Sequence, residues 1–205
     1  MIQVSTDYVF DGTGHIPYTE DIAPCPNSVY GSTKLAGEQA VGEKCSRAMI
    51  IRTAWLYSIY GNNFVKTMIR LGNEREKLGV VFDQIGTPTY ANDLARAIFA
   101  AINQGIVPGV YHFSDEGVCS WYDFTVAIHR MAGITHAKSV RCIRMNIRLR
   151  LRVPNIPYWI RRRLKRLSAL RFLIGRRVCR SASISWHSRQ TDVFLNIIPI
   201  YIYGK

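Results

Sequence analysis

The stretch VSTDYVFDGTG, Val4 to Gly14, decides how the rest of the chain reads. An apolar lead-in, Ile2-Gln3-Val4, meets a cluster of hydroxyls and an acid, Ser5-Thr6-Asp7, followed by Tyr8 and a turn at Asp11-Gly12. In open α/β sheets, ligands sit beyond the carboxyl ends of parallel strands, where polar side chains emerge from an apolar run. A strand of that kind has no use in isolation. It needs neighbours in a sheet.

The following residues supply them. A loop rich in turn formers runs from Gly12 to Asn27, and Ser28 then caps a helix through Tyr30, Lys34 and Glu38 to about Gly42. RAMIIRTAWLYS (Arg47–Ser58) reads as a buried strand, and NNFVKTMIRLGNERE as an amphipathic helix with Phe64, Met68 and Leu71 on one face. KLGVVFDQIGTPTY is a short strand entering a loop at Gln84 to Thr89. ANDLARAIFAAINQG is a helix capped near Asn92 and closed at Gly105, GVYHFSDEG a strand and turn, and SWYDFTVAIHRMAG a helix from a Ser120 cap to Gly133. Strands alternating with helices at this spacing specify an α/β fold with a mostly parallel sheet.

The 205 residues, 48% of them apolar, are enough for one domain or two small ones and exclude wholesale disorder. No run of about 18 apolar residues marks a membrane span, and no basic-then-apolar leader marks secretion. Five scattered cysteines (Cys25, Cys45, Cys119, Cys142, Cys179) contain no C-x-x-C pair and read as free thiols. The expectation from these features is a cytoplasmic location. The net charge of +13 is unevenly spread: residues 1–136 hold 10 Lys and Arg against 13 acids, whereas residues 137–205 hold 17 against 1. Two kinds of sequence join near His136, so the chain divides into 1–136 and a basic 137–205.

The sharpest chemical signal is Tyr30-Gly31-Ser32-Thr33-Lys34. Tyrosine and lysine at i and i+4 share a helix face, and an ammonium close to a phenol favours the phenolate. Such a tyrosine can protonate a carbonyl as it becomes an alcohol. Thr6, at a strand's carboxyl end 24 residues earlier, offers a hydroxyl to the same carbonyl. His15, His112 and His129 lack metal-ligand spacing and read as structural; Trp121 and Phe124 read as core, and Asp11-Gly12 as a turn.

Taken together, STDYVFDG, PNSVYGSTKLAGE (Pro26–Glu38), RTAWLYS and DQIGTPTYANDLA (Asp83–Ala95) resemble the extended short-chain dehydrogenases/reductases, and among them the dTDP-4-dehydrorhamnose reductases. The resemblance runs from Ile2 to about His136. It implies a partial Rossmann-like, doubly wound parallel sheet with a remnant of the small substrate lobe. It also implies reduction of the 4-keto group of dTDP-4-dehydro-L-rhamnose in dTDP-rhamnose and cell-surface polysaccharide synthesis. The family's catalytic triad falls on Thr6, Tyr30 and Lys34. Tyr30 and Lys34 would also hold the cofactor, NADPH with NADH as the alternative, and Thr6, Asp7, Tyr8 and Trp55 the dTDP-sugar. The resemblance also brings the magnesium found in some members, which this sequence does not support, and a homodimer as a state of the intact family. One departure stands out: Ser28 replaces the asparagine usual two positions before the tyrosine, and it is read as a cap only. Another extended reductase or epimerase acting on a different sugar nucleotide is the alternative reading.

No G-x-x-G-x-x-G occurs in the 205 residues, so the resemblance starts at about the fourth parallel strand of such a sheet. The expectation for the chain as given is therefore poor solubility, no cofactor binding and no turnover. The tail, with Arg161-Arg162-Arg163-Leu164-Lys165-Arg166, would suit a nucleic-acid module, an anionic membrane or a partner helix. Back-translated from Met145 to Phe172 and read one frame over, however, permitted codons spell a string resembling the family's closing segment, with its RPxxSVLD stretch. The tail is accordingly expected to be frameshift-derived, irregular and without nucleic-acid function.

Overall fold

Residues 1–14 and 16–143 are described by a computed structural model. The readings of His15, of the arginine run and of the shifted frame from Met145 onward lie outside the described residues.

A three-stranded parallel sheet, in the order β1-β2-β7, forms the centre. Its strands are β1 (Ile2–Thr6), β2 (Met49–Thr53) and β7 (Gly109–Phe113), with Thr6 opposite Thr53 and Thr53 opposite Phe113. All three carboxyl ends therefore finish level. Helix α1 (Val29–Lys44) covers one face, where Arg52 of β2 makes a bidentate pair with Glu38, at 2.7 Å for the shorter contact. Helix α3 (Ala91–Gln104) covers the other, packing Leu94, Ala97 and Ala101 on Met49, Ile51, Tyr111 and Phe113. Side chains alternate along a strand, so the odd-numbered residues of β2 face α3 and Arg52 faces α1. Each fully buried apolar side chain of this kind contributes about 1.5–3 kcal/mol.

A second cluster lies beside the sheet. Strand β4 (Lys77–Val81) pairs in parallel with β9 (Lys138–Cys142), and α2 (Phe64–Glu74) and α4 (Trp121–Met131) pack on them through Val65, Met68, Leu78, Val80, Phe124 and Ile128. His129 is buried here, one ring nitrogen 3.0 Å from the Met68 carbonyl and the other 3.4 Å from the Ser139 hydroxyl. That is the structural histidine expected from the sequence. The change of composition at His136 does not coincide with an edge of this unit, because β9 lies beyond it.

Caps follow the sequence closely at two helices. Ser28 accepts from Gly31 N at the start of α1, and Ser120 forms a capping box with Asp123 at the start of α4. Helix α3 differs: it begins at Ala91, without a side-chain cap, and Asn92 lies inside it. Two short pairings explain this. β3 (Leu56–Tyr57) pairs with β6 (Thr89–Tyr90), keeping the backbone extended to Tyr90, and the Asp115 carboxylate takes the Tyr90 N–H at 2.7 Å. The expected loop at Gln84–Thr89 likewise contains β5 (Ile85–Gly86), antiparallel to β8 (Cys119–Ser120). The single strand expected over Arg47–Ser58 is broken at Trp55, whose φ is +48°.

Candidate active site

The site is assembled where β1 ends. Thr6 is the last residue of the strand and caps a 3-10 turn, Asp7–Val9, with its hydroxyl accepting from Tyr8 N at 3.3 Å. The same hydroxyl donates to Asp7 Oδ1 at 2.9 Å. Both side chains are buried, and burial pushes the Asp7 carboxyl up to about 7 against the weaker pull of its hydrogen bonds. Asp7 is thus buried against Thr6 at the end of β1.

Helix α1 brings Tyr30 and Lys34 to this strand end. The Lys34 ammonium donates to the Val4 carbonyl at 2.8 Å, two residues before Thr6. The Tyr30 ring lies edge-on to Tyr8, two residues after Thr6, at 5.4 Å between centroids, and is 54% exposed. Lysine and tyrosine therefore bracket Thr6 along the chain of β1 and its turn. The close fit depends on Gly31, since a β-carbon there would collide with the Tyr8 carbonyl. A phenol open to solvent and an ammonium one helical turn away are a donor set that fits the ribose hydroxyls of a nicotinamide cofactor.

Trp55 follows β2 by two residues, on the adjacent strand end. Its indole is stacked on Trp121 at 3.4 Å with 9° between planes, and Gly86 leaves room for it: a β-carbon there would overlap the ring. Trp121, expected as core, packs on the second cluster and also serves as the surface on which Trp55 rests. Phe124 is core, 4% exposed. Asp11 holds Thr13 N, the Thr13 hydroxyl and the Tyr18 phenol around Gly12 at φ +76°, which is the turn expected there.

One residue escaped the sequence reading. Thr53 is buried opposite Thr6, and its hydroxyl has no hydrogen-bond partner among the described residues. The available signal was a hydroxyl closing an apolar strand, the same signal that marked Thr6. Among the described residues no group of three His, Cys, Asp or Glu side chains could hold a metal, and no helix is long and apolar enough to cross a membrane.

Comparison with known proteins gives this geometry a context. The model of the RmlD substrate binding domain matches residues 1–150. The dTDP-4-dehydrorhamnose reductase of Escherichia coli K12 is 48% identical over 141 residues, 65% of this chain and 47% of that protein. The spore coat polysaccharide biosynthesis protein SpsK of Bacillus subtilis is 44% identical over 136 residues, 66% of this chain and 47% of its own length. The chain thus spans about half the length of the curated relatives it matches. Among solved structures, a dTDP-4-dehydrorhamnose reductase from Clostridium acetobutylicum superposes with a TM-score of 0.78 at 43% identity, covering 82% of this chain and 59% of that one. The Bacillus anthracis reductase in complex with NADP gives 0.74 at 41% identity, over 78% and 56% of the two chains. The parallel sheet with helices on both faces is therefore part of a Rossmann-like fold.

Proposed function

The chain belongs to the RmlD substrate binding domain family, and on that premise we propose that it carries the catalytic and sugar-nucleotide-binding part of a dTDP-4-dehydrorhamnose reductase. The reaction is reduction of the C4 carbonyl of dTDP-4-dehydro-L-rhamnose to an alcohol. A bound nicotinamide cofactor, NADPH in this reading, supplies the hydride. Tyr30 gives its phenolic proton to the C4 oxygen as charge develops there, and Thr6 donates a hydrogen bond to the same oxygen. Lys34, anchored on the Val4 carbonyl, keeps α1 in register with β1 and presents its ammonium to the cofactor ribose. Tyr8 and Trp55 border the sugar nucleotide.

The observation that supports this most directly is the bracketing of Thr6 by Lys34 on Val4 and Tyr30 on Tyr8. It gathers a proton donor, a hydroxyl and a cation at one strand end, and two of the three side chains come from a different element. The experiment is a titration of the 205-residue chain with dTDP-glucose and UDP-glucose, followed by amide NMR. Saturable shifts centred on Thr6, Tyr8, Tyr30 and Trp55, stronger for the dTDP sugar, are expected. Absence of saturable binding by either sugar nucleotide would overturn the proposal.

A further inference from the structure

Thr6 has one hydroxyl proton and two claims on it. In the structure that proton is committed to Asp7 Oδ1, 2.9 Å away, while the lone pairs of the same oxygen receive the Tyr8 N–H. A hydroxyl donates once. An ionised Asp7 can only accept, so Thr6 cannot at the same time donate to a substrate carbonyl. A protonated Asp7 reverses the bond: the carboxylic acid donates to Thr6, and the Thr6 proton is free to point outward.

We propose that Asp7 is a positioning residue whose proton decides whether the Thr6 hydroxyl is turned toward Asp7 or toward the carbonyl of a bound 4-keto sugar nucleotide. The inference rests on the reading of Thr6 given above, and it gives Asp7 a role exerted through Thr6.

Two observations make the exchange accessible near neutrality. Asp7 is 4% exposed at the junction of β1 and its 3-10 turn, and burial raises its carboxyl to about 7. Three charged or titratable groups on the elements packed against this turn have partners of their own. Lys34 of α1 is bonded to the Val4 carbonyl, Tyr30 of α1 packs on Tyr8, and Arg52 of β2 is closed on Glu38 of α1. The hydrogen bonds that hold Asp7 come from the Thr6 hydroxyl and from backbone N–H groups of its own turn. Among the described residues, the Thr6 hydroxyl is the side chain that hydrogen-bonds Asp7.

The test compares two ligands across pH on the 205-residue chain: dTDP-4-dehydro-6-deoxyglucose, which has a carbonyl at C4, and dTDP-glucose, which has a hydroxyl there. Affinity for the keto ligand should fall about threefold to tenfold, the scale of one hydrogen bond, as pH rises through 7, and affinity for dTDP-glucose should not. Asp7→Asn, a permanent donor, and Thr6→Val, which has no hydroxyl, should each remove the pH dependence. Carbon-detected NMR of the Asp7 carboxyl should also show its midpoint move upward in Thr6→Val, because the bond that favours the carboxylate is gone. A keto-ligand slope that persists in either variant, or an Asp7 midpoint unmoved by Thr6→Val, would overturn the inference alone. Absence of binding by both ligands at every pH would sink the functional reading and this inference with it.

Discussion

Gly31 lies directly beneath the carbonyl of Tyr8, so close that a β-carbon would overlap the oxygen and would come within 3.0 Å of the Pro26 side chain. The glycine between Tyr30 and Lys34 is thus what lets α1 approach the turn that follows β1. Its absent side chain sets the distance at which the tyrosine and the strand end meet.

Gly31→Ala should therefore act on both stability and site geometry. The obstacle is backbone, which cannot rotate away, so α1 must shift outward. A loss of about 1–3 kcal/mol is expected in chemical denaturation, together with loss of the ring-current shifts that mark the Tyr8–Tyr30 contact. Unchanged stability and unchanged Tyr8 resonances would show that the helix has another way to settle.

Tyr30→Phe leaves that edge-on contact in place and removes only the phenol. When the cofactor-binding half is supplied, for example from the Clostridium acetobutylicum reductase, turnover should fall at least about a hundredfold, the usual scale for a positioned acid. Sugar-nucleotide affinity should stay within about threefold, the low end of the scale of one hydrogen bond. Steady-state kinetics beside calorimetry separates the two, and near-normal turnover would remove Tyr30 from the role.

The raised carboxyl of Asp7 makes stability depend on pH in a defined direction. In the unfolded chain the group titrates near 3.8 and in the folded protein near 7, so between these values the folded state holds the extra proton. The contribution of Asp7 to stability is then fullest below about 4 and is lost as pH rises through 7. Asp7→Asn should be more stable than the parent at pH 8, by on the order of a few kcal/mol, with the gap closing as pH falls to 4. Urea denaturation of both proteins at pH 4, 6 and 8 reads it. A constant gap would mean that Asp7 does not titrate in this window.

Glu38 and Arg52 form a nearly fully buried ion pair, 5% and 4% exposed, between α1 and β2. Removing one partner strands the other charge, so Glu38→Gln should cost about 3–5 kcal/mol. The double change Glu38→Leu with Arg52→Met should cost less than either single substitution, because no charge is left buried. Equal losses for single and double variants would place the energy in packing instead.

The alternation of strands and helices, the Ser28 and Ser120 caps, the Gly105 stop and the i, i+4 pairing of Tyr30 with Lys34 were legible because each is local. Period, cap and turn chemistry operate within a few residues, and so does the register of one helix face. The family followed from the same short stretches, since STDYVFDG and PNSVYGSTKLAGE carry their meaning in order and spacing. The sequence also placed Thr6 at a strand's carboxyl end.

Tertiary structure decided what those side chains meet. That Asp7 is buried at the end of β1, that Lys34 reaches the Val4 carbonyl 30 positions away, and that Trp55 turns to φ +48° and lies on Trp121 are long-range facts. The two-residue strands β3, β5, β6 and β8 are equally invisible in sequence, because pairs so short have no periodicity of their own and exist only where a partner is brought alongside. Local sequence specifies which groups are available and on which face. The direction of a hydroxyl proton, the desolvation of a carboxyl and the tilt of an indole depend on atoms contributed by distant segments, and only the folded chain brings those together.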